Sequence, residues 1–213
     1  FVWATATPMA SFASRLSSED FGRLLVFETI LTVGTTFGAL GLDDLAIRRD
    51  LAPGALGQRL AAASGVLVGA VSLAAVALFD LSWFAAGLMM MGCVAGATAR
   101  MCSAFEQVKG RFWHALLVIQ STNATFALAT LGFSNALPVR WETGATLFSL
   151  AYVTSAVIGL VCSRRELMLG HQLSRFSWRP ALVLAGIQAS IILLWEVERL
   201  VALQVLTLPQ LAS

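Results

Sequence analysis

The chain has 213 residues, of which 58% are hydrophobic and only 12% are charged, and its mean hydropathy is +0.80. Soluble domains carry roughly 25% charged residues, so the composition excludes an ordinary soluble domain and indicates a membrane protein. The formal net charge of +2 is too small to favour nucleic-acid binding. The three cysteines have no spacing typical of a disulfide framework or a metal site.

Apolar segments long enough to cross a bilayer follow one another along the chain. About 20 residues span the ~30 Å hydrocarbon core of a membrane. The segments of that length are Phe21 to Leu42, Leu60 to Phe79, Leu81 to Ala99, part of Phe112 to Val139, and Thr143 to Ser163. We therefore predict an all-α fold, a polytopic transmembrane helix bundle with about six to seven membrane helices.

Both ends of the chain add a candidate helix. Phe1 to Ser14 is apolar but too short to cross, and we interpret it as the outer part of a first helix whose beginning is missing. A cleaved signal peptide is the alternative, although no basic region precedes this segment. Ala181 to Leu208 is the final candidate span, interrupted by Glu196, Glu198 and Arg199.

The positions of Lys and Arg predict the orientation, because these residues collect in cytoplasmic loops. Ten of the 14 lie in alternate loops: Arg48, Arg49, Arg59, Arg100, Lys109, Arg111, Arg164, Arg165, Arg175 and Arg179. The intervening elbows hold Arg15, Arg23 and Arg140, and Arg199 is unassigned. The elbow "RLSSEDFG" is therefore predicted on the outer face, where either Ser17 with Asp20 or Ser18 with the acids that follow it would cap the next helix. Ser163 to Pro180 is predicted as a basic inner surface helix that anchors to membrane lipids.

Tryptophan and glycine positions support a bundle of membrane helices. Trp83, Trp113, Trp141 and Trp178 fall at predicted helix ends, where the headgroup region suits an amphipathic ring. Small residues repeat at a spacing of four as Gly34 with Gly38, Gly65 with Gly69, and Gly92 with Gly96. That spacing lets helix backbones approach closely, so these spans are predicted to pack on one another.

No catalytic or metal-binding motif is recognisable, so we predict no catalytic residue, no metal and no cofactor. The acidic segment "GLDDLAIRRD" holds Asp43, Asp44 and Asp50, but their spacing does not match a metal-binding repeat. A solvated loop that ends a helix is the favoured interpretation. His114 is interpreted as an interfacial histidine rather than a proton relay.

Polar residues inside the predicted spans are the best functional candidates, because a charge or amide at membrane depth is costly. They are Arg23, Glu28, Gln120, Asn123, Gln188, Glu196 and Arg199. They are either structural hydrogen bonds and ion pairs between helices or the lining of a path for a polar substrate. Glu28 is the strongest candidate because no opposite charge lies three or four residues away in sequence.

Residues Ala13 to Asp50 resemble the opening of bacterial polysaccharide-biosynthesis flippases. These are the O-antigen and exopolysaccharide translocases of the multidrug, oligosaccharidyl-lipid and polysaccharide exporter superfamily. The first part of the family pattern matches Arg15, Leu16, Ser17, Glu19, Asp20, Phe21 and Gly22, and the second matches Gly41, Leu42, Arg48 and Arg49. The resemblance implies an inner-membrane transporter, not an enzyme, through which a lipid-linked glycan diphosphate crosses. Glu28 would suit coupling to a proton or sodium ion.

The resemblance also implies two related lobes, an arrangement that is common in transporters. The segment "LTLPQLA", Leu206 to Ala212, weakly echoes "LSSEDFG", Leu16 to Gly22. We therefore predict that residues 1–179 form an N-terminal transmembrane lobe and that residues 180–213 form the first helix of a second lobe. A cation-coupled multidrug antiporter of the same superfamily is the alternative function. An integral-membrane glycan polymerase or ligase fits less well, because every predicted outer loop is short.

Overall fold

A computed structural model describes residues 15–48, 55–79, 81–133, 140–167, 179–188, 190–191 and 194, and these residues form an all-α fold without strands. The helices are α1 (Ser18–Gly38), α2 (Leu42–Arg48), α3 (Ala55–Leu78), α4 (Trp83–Val108), α5 (Phe112–Phe133) and α6 (Trp141–Leu167). Residues 179–188 form a further helical segment, α7. The predicted all-α fold class is confirmed for the described part of the chain.

Four of these helices contain segments long and apolar enough to cross a membrane: Gly57–Leu78, Trp83–Val108, Phe112–Gly132 and Trp141–Arg164. The bent pair α1 and α2 passes the same test when taken together, which gives up to five spans in the described residues. This composition is consistent with a membrane protein. The predicted total of six to seven spans is not confirmed, and Phe1 to Ser14 and most of Ala181 to Leu208 lie outside the described residues.

Helix α4 occupies the centre of the bundle. Its spanning window is 72% buried, against 28–39% for the windows in α3, α5 and α6. It packs against α1, α2, α3, α5 and α6. The predicted end of this helix at Ala99 is wrong, because the helix continues to Val108 and its residues 101–106 are all buried. Arg100 therefore lies inside a packed helix rather than in a loop.

The glycine pairs allow the close helix packing that their spacing predicts. A methyl group added at Gly34 would overlap Cys93, and one added at Gly96 would overlap Thr35. A methyl group on Gly65 would lie 3.0 Å from the backbone of α4. Helices α1 and α3 thus contact α4 at a backbone separation that larger side chains would prevent.

A bend of 49° separates α1 from α2. Leu40 and Gly41 both adopt positive φ, at 47° and 66°, and this conformation ends the regular helix. Glycine is required at position 41 for a second reason, because a methyl group there would lie 2.5 Å from the Ala181 carbonyl oxygen. The predicted continuous span from Phe21 to Leu42 is therefore wrong at its C-terminal end, because the regular helix stops at Gly38.

Ser17 caps the first helix as predicted. Its side chain accepts a hydrogen bond of 3.1 Å from the backbone N–H of Asp20. The helix begins at Ser18, three residues before the predicted start at Phe21. The elbow is therefore a helix cap, and its carboxylates lie at the positive end of the helix dipole.

The tryptophans at helix ends divide into two groups. Trp83 and Trp113 are 88% and 83% exposed, as a headgroup anchor requires. Trp141 is only 3% exposed and packs in the core with Leu24 and Ala145, so its predicted interfacial role is wrong. A buried ring at the start of α6 instead fixes that helix against α1. Trp178 lies outside the described residues.

Replacing Gly96 with alanine tests the importance of close packing. Gly96→Ala should lower the free energy of unfolding by about 1–3 kcal/mol, because the new methyl group overlaps Thr35. The measurement is thermal unfolding in detergent micelles. Gly87→Ala is the matched control, because residue 87 lies on the same helix and a methyl group added there would meet no other described helix within 4 Å. Equal effects of the two substitutions would contradict the packing argument.

Candidate functional site

A half-open polar cleft of about 260 Å³ lies among α1, α4, α5 and α6. Eight of its twelve lining residues are polar, although three of the four surrounding helices, α4, α5 and α6, are each long and apolar enough to cross a membrane. The lining residues are Thr32, Thr35, Thr36, Gly96, Ala99, Arg100, Val118, Ile119, Thr122, Asn123, Tyr152 and Ser155. Polar side chains within spans generally face the bundle interior or a water-filled cavity, and this cleft is such a place.

Arg100 is the charged group of the cleft lining. Its Nε donates to Asp43 Oδ2 at 2.8 Å, and its Nη1 donates to Thr36 Oγ1 at 3.4 Å. The Arg100 side chain is 35% exposed, whereas the Asp43 side chain is only 7% exposed. These two contacts engage only part of the guanidinium donor set. The cleft therefore presents a positive charge that is held in place from one side and accessible from the other.

The prediction of a solvated loop for the acidic segment is wrong for two of its members. Asp43 and Asp44 lie in helix α2, and Asp43 is buried against Arg100. Asp44 Oδ2 accepts a hydrogen bond of 2.6 Å from Gln188 Nε2. These carboxylates are tolerated among apolar helices because each has a hydrogen-bond donor on another helix. Asp50 lies outside the described residues.

Helix α5 places the predicted amide pair at the edge of the cleft. Asn123 Nδ2 donates to Gln120 Oε1 at 3.2 Å, so the predicted shared face is confirmed. Asn123 lines the cleft, whereas Gln120 is not among its lining residues. A role for either residue in substrate passage stays a prediction.

The two charged candidates on α1 occupy different surroundings. Arg23 forms an exposed ion pair of 2.8 Å with Glu19, one turn earlier at the helix start, and does not line the cleft. Glu28 is half-buried, and it is close enough to the cleft residue Tyr152 to act on it electrostatically. The Tyr152 hydroxyl lies within hydrogen-bonding reach of Thr32 and Thr35. Neither Glu28 nor Arg23 is among the residues that line the cleft.

The remaining predicted site residues belong to the last part of the chain. Gln188 contacts Asp44 on α2 rather than lining the cleft. Glu196 and Arg199 lie outside the described residues. Their proposed places along a substrate path stay predictions.

Sequence reasoning missed the buried carboxylate of Glu106. This side chain is fully buried near the end of α4, and its Oε1 accepts a hydrogen bond of 3.2 Å from Ser163 Oγ. The second oxygen lies 3.8 Å from Arg111 Nη1 and 3.7 Å from His114 Nδ1. Extending the apolar segment beyond Ala99 to include Glu106 would have found it. His114, predicted as an interfacial histidine, is half exposed and faces this carboxylate.

Comparisons with known proteins find no match. No protein-family model, no curated protein and no solved structure matches this chain. The described residues also contain no group of three or more His, Cys, Asp or Glu side chains placed to hold a metal ion. The resemblance of Ala13 to Asp50 to polysaccharide flippases therefore stays a prediction.

Replacing Ser163 tests whether Glu106 depends on its hydroxyl donor. Ser163→Ala should lower the free energy of unfolding by about 1–3 kcal/mol, because it removes the donor to a fully buried carboxylate. The measurement is again the thermal unfolding midpoint in micelles. Ser190→Ala is the matched control, because that exposed hydroxyl donates to the Gly186 carbonyl four residues earlier and not to a buried carboxylate. An unchanged midpoint for Ser163→Ala would show that the hydroxyl is dispensable.

Proposed function

We propose that this chain is part of a flippase that moves lipid-linked oligosaccharide or polysaccharide precursors across the inner membrane for cell-surface glycan synthesis. The proposal has two supports, the resemblance of Ala13 to Asp50 and the polar cleft. The observation that carries it is the partly exposed guanidinium of Arg100 inside a hydroxyl-lined cleft among apolar helices. In this proposal the protein binds and translocates its substrate without changing it chemically.

The chemistry of the cleft suits the polar head of such a substrate. A guanidinium forms charge-assisted hydrogen bonds with phosphate oxygens, and it keeps its charge at all physiological pH values. Threonine hydroxyls and the Asn123 amide can exchange hydrogen bonds with sugar hydroxyls. The ion pair with Asp43 balances the charge of Arg100.

The size of the cleft indicates which part of the substrate it would hold. Its volume of about 260 Å³ is slightly below the roughly 300–1,000 Å³ of ordinary ligand pockets. It therefore suits a phosphate group or one sugar ring rather than a whole oligosaccharide. The rest of the head would need a facing surface, which a second transmembrane lobe would supply. The lipid tail would stay among membrane lipids.

Deletion of the full gene followed by complementation tests the proposal. The deletion strain should lose surface glycan and accumulate lipid-linked precursor at the inner leaflet. The wild-type gene should restore surface glycan, whereas Arg100→Gln should restore it poorly, because the cleft loses the positive charge that Arg100 supplies. The measurements are surface glycan staining and leaflet-specific analysis of the lipid-linked precursor.

Arg59→Gln provides the matched control for that experiment. Arg59 is exposed on α3 and does not line the cleft, so this variant should complement as well as wild type. Membrane levels of each variant are compared by immunoblot, so that loss of protein is distinguished from loss of transport. Normal surface glycan in the deletion strain would refute the proposed function.

A cation-coupled antiporter for small molecules is the second candidate, and the position of Glu28 favours it. This half-buried carboxylate acts electrostatically on Tyr152, which lines the cleft. An intramembrane carboxylate next to a polar cleft is a common arrangement for proton or sodium coupling. Altered drug sensitivity with intact surface glycan in the deletion strain would select this function.

The Glu28 side chain can be tested under either function. Glu28→Gln removes the negative charge but keeps the size of the side chain, so it should abolish the dependence of transport on a proton or sodium gradient. The measurement is uptake or flipping in proteoliposomes with and without an imposed gradient. Glu19→Gln, which neutralises an exposed carboxylate on the same helix, should leave that dependence unchanged. Gradient dependence that survives in Glu28→Gln would exclude this residue as the coupling group.

A further inference from the structure

We propose that helix α2 couples the polar cleft to helix α7, so that the pairing state of Arg100 controls how firmly α7 is docked. The proposal does not depend on the identity of the substrate or on the proposed transport function. It rests on two neighbouring carboxylates of one short helix, Asp43 and Asp44, whose partners lie on different helices.

The first contact joins α2 to the cleft. Asp43 Oδ2 accepts from Arg100 Nε at 2.8 Å, and Arg100 lines the cleft. A ligand anion that takes the guanidinium would compete with Asp43 for the same charge. The carboxylate would then be a buried charge without its partner, which is costly enough to favour movement of α2.

The second contact joins α2 to α7. Asp44 Oδ2 accepts from Gln188 Nε2 at 2.6 Å, although the two residues are 144 positions apart in sequence. The backbone of α7 also lies against Gly41, immediately before α2. Buried apolar residues from α2, α3, α4 and α7 complete this contact: Leu42, Leu45, Ala61, Met101 and Ala181. A displacement of α2 would therefore disturb both the hydrogen bond and the packing that hold α7.

The join between α1 and α2 allows such a displacement. Leu40 and Gly41 have positive φ, and the helix axis bends by 49° between α1 and α2. Each of the two contacts leaves one acceptor oxygen unused. In the described part of the molecule, Asp43 Oδ1 and Gln188 Oε1 are buried and have no hydrogen-bond partner. Helix α2 follows a non-helical turn, and each of its two contacts includes an acceptor oxygen without a partner. It can therefore exchange one hydrogen-bonding arrangement for another.

Amide hydrogen exchange measured by mass spectrometry tests the coupling in the full-length protein in lipid nanodiscs. Asp44→Asn and Gln188→Ala remove the direct contact with α7. Asp43→Asn and Arg100→Gln alter a pair whose hydrogen bonds join α2, α4 and α1 rather than α7. All four variants should exchange residues 179–188 faster than wild type, by about threefold to tenfold, which is the change expected from loss of one hydrogen bond.

Two comparisons make the outcome decisive. Glu19→Gln, which breaks an exposed ion pair on α1, should leave exchange of residues 179–188 unchanged. Exchange of the α6 residues 141–167 should also remain at the wild-type rate in every variant, since coupling through α2 is local. Faster exchange confined to Asp44→Asn and Gln188→Ala would overturn the proposal. An equal increase across all helices would overturn it as well, because that pattern is global destabilisation.

A milder substitution covers the case in which Asp43→Asn or Arg100→Gln fails to fold. Arg100→Lys keeps the charge but loses the planar donor set that binds Asp43 and Thr36 together. It should give an intermediate exchange rate in residues 179–188. A wild-type rate in Arg100→Lys would contradict the coupling.

Discussion

The organisation of this bundle depends on how α4 satisfies its charged and polar groups while surrounded by other helices. In a low-dielectric interior an unpaired charge costs several kcal/mol, so a central helix can carry Arg100 and Glu106 only if other segments supply partners. Helix α2 supplies Asp43, and α6 supplies Ser163. These contacts fix which helices must be neighbours of α4, and the cleft forms where one of the charged groups remains partly accessible.

Close approach of the helices makes those polar contacts possible. Gly92 and Gly96 give α1 and α6 access to the surface of α4, and Gly96 itself lines the cleft. With larger residues at these positions the neighbouring helices would stand further away, and hydrogen bonds near 3 Å between them would no longer form. The small residues and the polar residues of α4 therefore act together. The small residues set the distance between helices, and the polar residues need that short distance to form their hydrogen bonds.

Local features of this fold were predictable from sequence, and features that join distant segments were not. Apolar length identified the central spans, and the elbow sequence identified the Ser17 cap. Arg100 and Asp43 are 57 residues apart, and no periodicity within one helix relates them. Trp141 was misassigned for the same reason, since the ring at a helix end is buried by a neighbouring helix. Polar residues within spans could be chosen as candidates from sequence, but only packing decides which of them share a cleft, and of the candidates Asn123 lines it.

The two adjacent carboxylates of α2 also limit how this segment can change over evolutionary time. Successive residues of an α-helix point about 100° apart, so Asp43 and Asp44 reach Arg100 and Gln188 only in one rotational register. Substitutions elsewhere in α2 leave that register intact, whereas inserting or deleting one residue near Gly41 would turn both carboxylates away from their partners. The number of residues in this segment is therefore more tightly constrained than the identity of most of them.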